Sequence, residues 1–505
     1  MNHPKRPWLL LAALALLKLG IHLYANGHYG FHRDELLHLS VGEHLAWGYF
    51  EFPPLIAVLG ALQRFLFGDS VLAIRIFPAL AGVAMLALAG LMAREMRGKT
   101  VSVILAATCV LASFAYWRNH TLFQPVAFNQ LFWTLGFYWV LRYINTENKN
   151  YLLFLGVTVG LGLLNKYSII YWGAGLTVGL LFYNRGTLFR NKWLWIAGGI
   201  ALLLFLPNLI WQYQHDFPVR LHAAELQRSQ LEATWLARWQ FIRSQFMAMN
   251  PFGSIIWIAG LLGFLFYKPL KTYRLFGVAY LTTLALFLIT NGKAYYLFGI
   301  YPVLFAGGAV TLEKMIPDRF HWIIWLWIGW LLFTGLWRMP YGTPFLPIEQ
   351  FANYAGLERN SEGRLEGLTG DYADMFGWEE QVALVDSMYQ SLSETERKQC
   401  IIWAENYGEA GAIKIIGDRY GLPDPVSRHG SFWLWGPPEK PGEIAISIGN
   451  EADAVNYFYE DVTLVKMIRH PYAIDEEHNI PFYLCKNPKI TLRSYWENWR
   501  ERVFE

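Results

Sequence analysis

FHRDELLHLSVGEHLAWGYFEFPPL, Phe31 to Leu55, follows the first apolar segment of the chain, and the rest of the sequence is read outward from it. It gathers His32, Arg33, Asp34, Glu35, His38, Glu43, His44 and Glu51 in a chain of 505 residues that is 54% hydrophobic. An ionised group near lipid costs about 2.5–3.5 kcal/mol even on lenient scales, so two adjacent carboxylates at a membrane boundary need a chemical reason. This density of charge does not recur in the apolar two-thirds of the sequence. The stretch therefore reads as a site-forming loop between membrane helices.

Only 16% of the residues are charged, against about 25% in soluble domains, so most of the chain has lipid as its solvent. The formal net charge is +3 and the basic residues are spread, which excludes a nucleic-acid partner. Twenty-three Trp and 28 Tyr suit the interfacial belts of a polytopic protein. Cys109, Cys400 and Cys485 have no metal-ligand spacing. Cys109 reads as a small core residue inside an apolar span, and a bridge between Cys400 and Cys485 stays open. Lys5 and Arg6 followed by Trp8–Tyr24 resemble a signal peptide, but no small-x-small cleavage pattern follows, so a retained first helix is expected.

Apolar runs that span, or nearly span, a bilayer fall at 8–26, 71–93, 100–117, 122–142, 151–164, 168–184, 193–213, 252–267, 275–290, 295–312 and 320–338. With the N-terminus cytoplasmic, alternate loops carry Lys5/Arg6, Arg94/Arg97/Lys99, Arg142/Lys149, Arg185/Arg190/Lys192, Lys268/Lys271/Arg274 and Lys314/Arg319. That is the positive-inside pattern. It places loop 27–70, Arg118-Asn119-His120, Lys166, segment 214–250, Asn291-Gly292-Lys293 and everything beyond about 340 on the outer side. Segment 221–246 spaces Leu, Trp and Phe against Arg and Gln as an interfacial helix would.

Composition changes near Pro340–Pro347, which divides the chain into a membrane domain, 1–339, and a soluble outer domain, 340–505. In the latter, Ser391–Arg397 is helix-like, and Ile401–Ala404, Phe432–Trp435 and Glu443–Ile448 read as short buried strands. Strands alternating with helices predict an α/β domain of roughly 160 residues.

Asp34 and Glu35 are adjacent, so on a helix they diverge by about 100°, and one can act as base while the other orients. His38, four residues on, shares the face of Asp34. Gly48-Tyr49-Phe50-Glu51-Phe52-Pro53-Pro54-Leu55 follows, and its proline pair makes a rigid re-entry into apolar surroundings. Glu51 with His38 or His44 offers a cation site, so a divalent cation is possible though none is required.

Asp-Glu after the first membrane helix, then Gly-Tyr and Pro-Pro-Leu, resembles the polyprenyl-phosphate-sugar glycosyltransferases of the GT-C class. The likeness is strongest to the protein O-mannosyltransferase and lipid A aminoarabinose transferase group. Further matches are Asn165-Lys166-Tyr167, Gly292-Lys293-Ala294-Tyr295-Tyr296-Leu297 with Tyr301-Pro302, and Glu405-Asn406-Tyr407-Gly408-Glu409-Ala410-Gly411-Ala412. The resemblance implies a GT-C-like polytopic α-helical protein of about eleven transmembrane helices with a C-terminal extracytoplasmic α/β domain. It also implies a cell (inner) membrane location and a sugar moved, with inversion, from a polyprenyl phosphate to a hydroxyl of protein, lipid or glycan.

Asp34 matches the family's catalytic position, and Glu35 is its supporting acid. Asp34 is expected to have a raised pKa near a low-dielectric boundary. The phosphate leaving group needs positive charge more than a proton. Lys293, flanked by Tyr295 and Tyr296, is the first candidate, followed by Lys166, Arg33 and Arg118. His38, Glu51, Pro53 and Pro54 support the loop. Phe52 stands where aminoarabinose transferases carry a basic residue, which speaks against that sugar. A transporter or flippase is the alternative class, but its charges belong near the midplane of repeated halves. Only Lys18 lies mid-span here.

Overall fold

The computed structural model describes residues 6–228 and 234–504. The chain divides into two compact units. One comprises Met1–Asn26, Arg75–Gln214 and Ser229–Phe345; the other comprises Gly27–Ile74, His215–Arg228 and Leu346–Glu505. The composition boundary near 340 is thus close to one junction, but the charged loop groups with the C-terminal residues rather than with the membrane helices. Its ends are tied within the first unit, where the Arg75 guanidinium donates to the Asn26 carbonyl at 2.9 Å.

The first unit is helical, and a helix lies on every one of the eleven apolar runs. Among the described residues six helices are long and apolar enough to cross a membrane, or seven if the bent pair Trp235–Ala248 and Pro251–Phe266 counts as one span. The eleven expected spans are not all met by this measure: Thr100–Ala112, Asn150–Asn165 and Ile169–Phe182 have only 13, 16 and 14 residues, short of the ~20 a crossing needs, and Pro125–Thr146, with 22 residues, is not among the six. Glycines let the helices close on one another. A Cβ at Gly260 or Gly308 would occupy the place of a backbone carbonyl of the facing helix, so Pro251–Phe266 and Tyr301–Met315 pack backbone to backbone.

The expected surface helix over 221–246 is two helices, Val219–Arg228 and Trp235–Ala248; its centre, 229–233, lies outside the described residues. Trp235–Ala248 turns by 103° into Pro251–Phe266, through Asn250 at φ +62°. Trp235, Leu236 and Trp239 are exposed on it, as are Arg238 and Gln240. Lys18, the mid-span lysine, is fully buried; its Nζ donates to the Tyr116 carbonyl at 3.0 Å and sits 4.3 Å above the Trp117 ring.

The second unit is built on a five-stranded sheet. Its strands are β1 Cys400–Ala404, β2 Pro425–Val426, β3 Ile444–Ile448, β4 Tyr459–Arg469 and β5 Asn479–Pro488, in the order β2-β1-β3-β5-β4. β1 runs parallel to β2 and β3, while β5 is antiparallel to both β3 and β4. The two buried strands foreseen around 401–404 and 443–448 are β1 and β3, each buried along its whole length. Phe432–Trp435 is not a strand but part of the 3-10 turn Gly430–Trp435, bracketed by Gly430 at φ +54° and Gly436 at φ +89°. The left-handed backbone at both ends interrupts any extended run.

Cys400 and Cys485 are free thiols, as is Cys109. β3 lies between the strands that carry Cys400 and Cys485, a separation of about 9.6 Å across two strand spacings, beyond the ~7 Å a bridge can span.

Candidate active site

The second unit holds the acidic loop, and its geometry starts from two helix caps. His32 precedes helix Arg33–Glu43; its Nδ1 accepts from the Asp34 amide at 3.1 Å, and Glu35 Oε2 accepts from the His32 amide at 2.9 Å. This reciprocal box satisfies two of the helix's open donors. It fixes Glu35 as the fully buried cap residue and turns Asp34 to another face.

The second cap follows β1. Asn406 Oδ1 accepts from the amides of Gly408 and Glu409 at 2.8 and 3.1 Å, and Glu409 reaches back to the Glu405 amide at 2.9 Å. Helix Tyr407–Ile415 therefore begins with Tyr407. A Cβ at Gly408 would fall 2.7 Å from Arg33 Cγ, and one at Gly411 would fall 2.8 Å from Leu36 Cβ. Only glycine at these two positions admits so close an approach. The result is that the Tyr407 hydroxyl donates to Asp34 Oδ1 at 3.0 Å.

Arg33 is held by carboxylates. Its Nη2 and Nε donate to Asp374 Oδ1 at 2.8 and 3.1 Å, and its Nη1 donates to Glu476 Oε2 at 2.6 Å. A guanidinium so neutralised is not a spare phosphate ligand, which corrects the sequence expectation for Arg33. His32 Nε2 lies 3.6 Å from Asp374 Oδ2.

The pKa expectation for Asp34 is also corrected. Burial pushes its carboxyl up, but His32, His38, the Tyr407 hydrogen bond and Arg33 together hold it below the usual carboxylate value. Tyr407 moves the opposite way, raised by burial and by the Asp34 charge, so it remains a donor. Asp34 is accordingly a carboxylate held below its ordinary pKa, beside the Arg33 guanidinium and the Tyr407 hydroxyl.

Glu51 is anchored through Ser431, whose amide donates to Oε1 at 2.8 Å and whose hydroxyl bonds Oε2. Burial raises its pKa, with Ser431 opposing. The His38 ring meets Phe52 edge-on at 4.9 Å. Pro53 and Pro54 are buried, and Pro54 caps helix Leu55–Phe67. Among the described residues no three His, Cys, Asp or Glu side chains converge as a metal group.

The remaining predicted residues belong to the first unit. Lys166 follows helix Asn150–Asn165, with its Nζ 5.2 Å from the centre of the Tyr296 ring. Tyr295 and Tyr296 stand edge to face at 4.7 Å. Lys293 precedes the 3-10 turn Ala294–Ile300 and lines a cavity of about 290 Å³ with Arg238, Ser244, Asn291, Phe241 and Phe287. Arg118 is exposed at the end of helix Phe114–Arg118.

Two residues escaped the sequence reading. Tyr407 was inside a quoted motif but carried no role; the Asn406-x-x-Glu409 spacing is a capping box and would have placed it at a helix start. Arg238 was absorbed into the amphipathic pattern of a surface helix, where an arginine carries no separate signal.

A family model described as dolichyl-phosphate-mannose-protein mannosyltransferase matches residues 51–211. No curated protein matches the chain. Among solved structures, ArnT from Cupriavidus metallidurans bound to undecaprenyl phosphate aligns over 95% of this chain and 98% of its own, at 12% identity and a TM-score of 0.62. The apo form of the same protein aligns over 94% and 97%, at 14% identity and a TM-score of 0.61. The chain therefore shares its polytopic helical fold with ArnT, one of the group that the sequence resemblance named.

Proposed function

We propose that the chain is a membrane glycosyltransferase that moves a sugar from a polyprenyl phosphate to an acceptor hydroxyl at the outer face of the cell membrane. One observation carries the reading: a carboxylate, Asp34, held below its ordinary pKa by His32, His38, Arg33 and a Tyr407 hydrogen bond, on the loop where the GT-C resemblance puts the catalytic carboxylate. The family-model match to mannosyltransferases and the shared fold with an undecaprenyl-phosphate-binding protein support the substrate class.

In the proposed step the acceptor oxygen attacks the anomeric carbon as its proton passes to Asp34. The bond from that carbon to the phosphate oxygen breaks, and the electron pair leaves with the phosphate. A single displacement inverts the anomeric centre. Because the phosphate is a good leaving group, a carboxylate of low pKa is basic enough; it acts late, when the attacking hydroxyl has become acidic. Glu35 contributes by holding the helix start, and Glu51 by holding the loop through Ser431.

Charge developing on the phosphate calls for fixed cations. Lys293 is proposed as the first of these, and the Tyr295 and Tyr296 hydroxyls, Lys166 and Arg118 as the others. No metal is required by this chemistry. The transporter alternative loses its main support, since neither the family match nor the shared fold points to one.

The test is transfer of radiolabelled sugar from a synthetic polyprenyl phosphate by detergent-purified protein, with the product's anomeric configuration read by NMR. Inverted product that depends on Asp34 is expected. Retained configuration, or no transfer with mannosyl, glucosyl and aminoarabinosyl donors and an acceptor extract, would overturn the proposal.

A further inference from the structure

The second unit contains a cavity that the reaction above does not use. It measures about 360 Å³, within the ~300–1,000 Å³ range of small-molecule sites. Helices Arg33–Glu43 and Tyr407–Ile415 run side by side in the same direction, with Asp34 meeting Tyr407 at one end and Glu43 meeting Lys414 at 2.8 Å at the other. The cavity opens at this second end, where His44 and Lys414 line it. Ten residues separate Asp34 from His44, which at the helical rise is about 15 Å.

Its wall has two kinds of surface. One is aromatic: His44 stacks on Trp435 with ring centres 4.1 Å apart, and Phe432 meets Trp435 at 4.4 Å. Burial and Lys414 hold the pKa of His44 below its usual value, with Asp424 and Glu43 opposing. The other is a polar fence already fixed in place, with Lys414 Nζ donating to Asp424 Oδ1 at 2.6 Å. Lys440 and Glu439 complete two ammonium and two carboxylate groups on the wall. Pro423, Pro425, Pro437 and Pro438 form part of the rim, and their fixed φ angles hold it rigid before anything binds.

Each feature narrows the ligand. Balanced charge disfavours an anion or a cation. Four charged groups around the wall disfavour an apolar guest, because binding it would strip their water without replacement. Flat ring surfaces beside hydrogen-bonding groups in fixed positions suit a molecule with one carbon–hydrogen face and a rim of hydroxyls.

We propose that this cavity is a saccharide-binding site for a neutral sugar unit. Reading that unit as part of the acceptor rests on the transferase function; the binding itself does not. A bound sugar about 15 Å from Asp34 would let the site favour acceptors of several units over single sugars.

The experiment titrates the purified full chain with neutral trisaccharides: α-linked mannotriose, β-linked glucotriose and the trimer of N-acetylglucosamine. Mannose 6-phosphate and hexanol serve as anionic and apolar comparators, and binding is read by calorimetry and saturation-transfer NMR. Saturable binding of at least one trisaccharide is expected, tighter than either comparator. Trp435→Ala should weaken it about tenfold, consistent with losing one aromatic contact and its buried area. Asp424→Asn, which leaves the aromatic wall intact, should weaken it several-fold and serves if the tryptophan variant does not fold. Absence of trisaccharide binding, tighter binding of a comparator, or binding indifferent to both cavity variants would overturn the proposal. Trisaccharide binding in a protein that transfers no sugar would refute the transferase reading and keep the site.

Discussion

Replacing Asp34 by Asn changes one oxygen to an amide nitrogen and removes one charge, and the structure separates what this costs in folding from what it costs in chemistry. The amide's Oδ1 still accepts the Tyr407 hydroxyl that now donates at 3.0 Å. Arg33 keeps its bonds to Asp374 and Glu476, so no cation is stranded. A net change in stability of about 1 kcal/mol, the scale of one hydrogen bond, is expected. Turnover should fall far more, by roughly 10²–10⁴-fold, the usual contribution of a general base. That is about 2.7–5.4 kcal/mol of transition-state stabilisation.

The pH dependence has a definite sign. The folded pKa of Asp34 lies below its ordinary value, so its ionisation adds stability above the unfolded pKa, and this is lost as pH falls through the folded one. Wild type and variant should differ most at neutral pH and converge in strong acid, and Asp34 should impose no loss of activity between neutrality and the ordinary carboxylate range. The assay is labelled-sugar transfer with purified protein, paired with thermal unfolding between neutrality and strong acid. Near-normal turnover in a folded Asp34→Asn protein would refute the assignment of Asp34 as base.

Lys293→Ala should weaken polyprenyl phosphate binding about tenfold to a hundredfold, the worth of one charge-assisted contact; unchanged affinity in the purified variant would leave Lys293 a lysine that snorkels at a helix end. Gly411→Ala should lower the melting temperature by an amount matching about 1–3 kcal/mol of overpacking, because its Cβ would meet Leu36 backbone carbon at 3.0 Å and backbone cannot yield. An unchanged melting point would contradict the close approach of the two helices. Cysteines placed at Ala46 and Ser391, both exposed, should be labelled from the same, outer side of the membrane by an impermeant reagent. Labelling from opposite sides would reverse the proposed topology. Dithiothreitol should leave unfolding unaffected, since all three native cysteines are free and buried, and a shift on reduction would restore the possibility of a bridge.

Lipid as solvent was legible from composition, and helices lie on all eleven apolar runs because a backbone in hydrocarbon must bond to itself. Asp34 was singled out by its charge density and the motif that follows it. Capping boxes at His32/Glu35 and Asn406/Glu409 are likewise local, since their partners lie three residues apart. What only the tertiary structure decided depends on distant pairings. The Tyr407 hydroxyl reaches Asp34 across 373 positions of sequence, and with Arg33, His32 and His38 it turns an expected rise in pKa into a fall. Arg33 is withdrawn from phosphate binding by Asp374 and Glu476, again residues far along the chain. β4 escaped notice because most of its residues are exposed or half-exposed, so it shows no hydrophobic alternation, and its pairing with β5 supplies the hydrogen bonds that hold it. A sequence records which groups can ionise, bond or avoid water; the strength and even the sign of their effects come from neighbours that folding alone assembles.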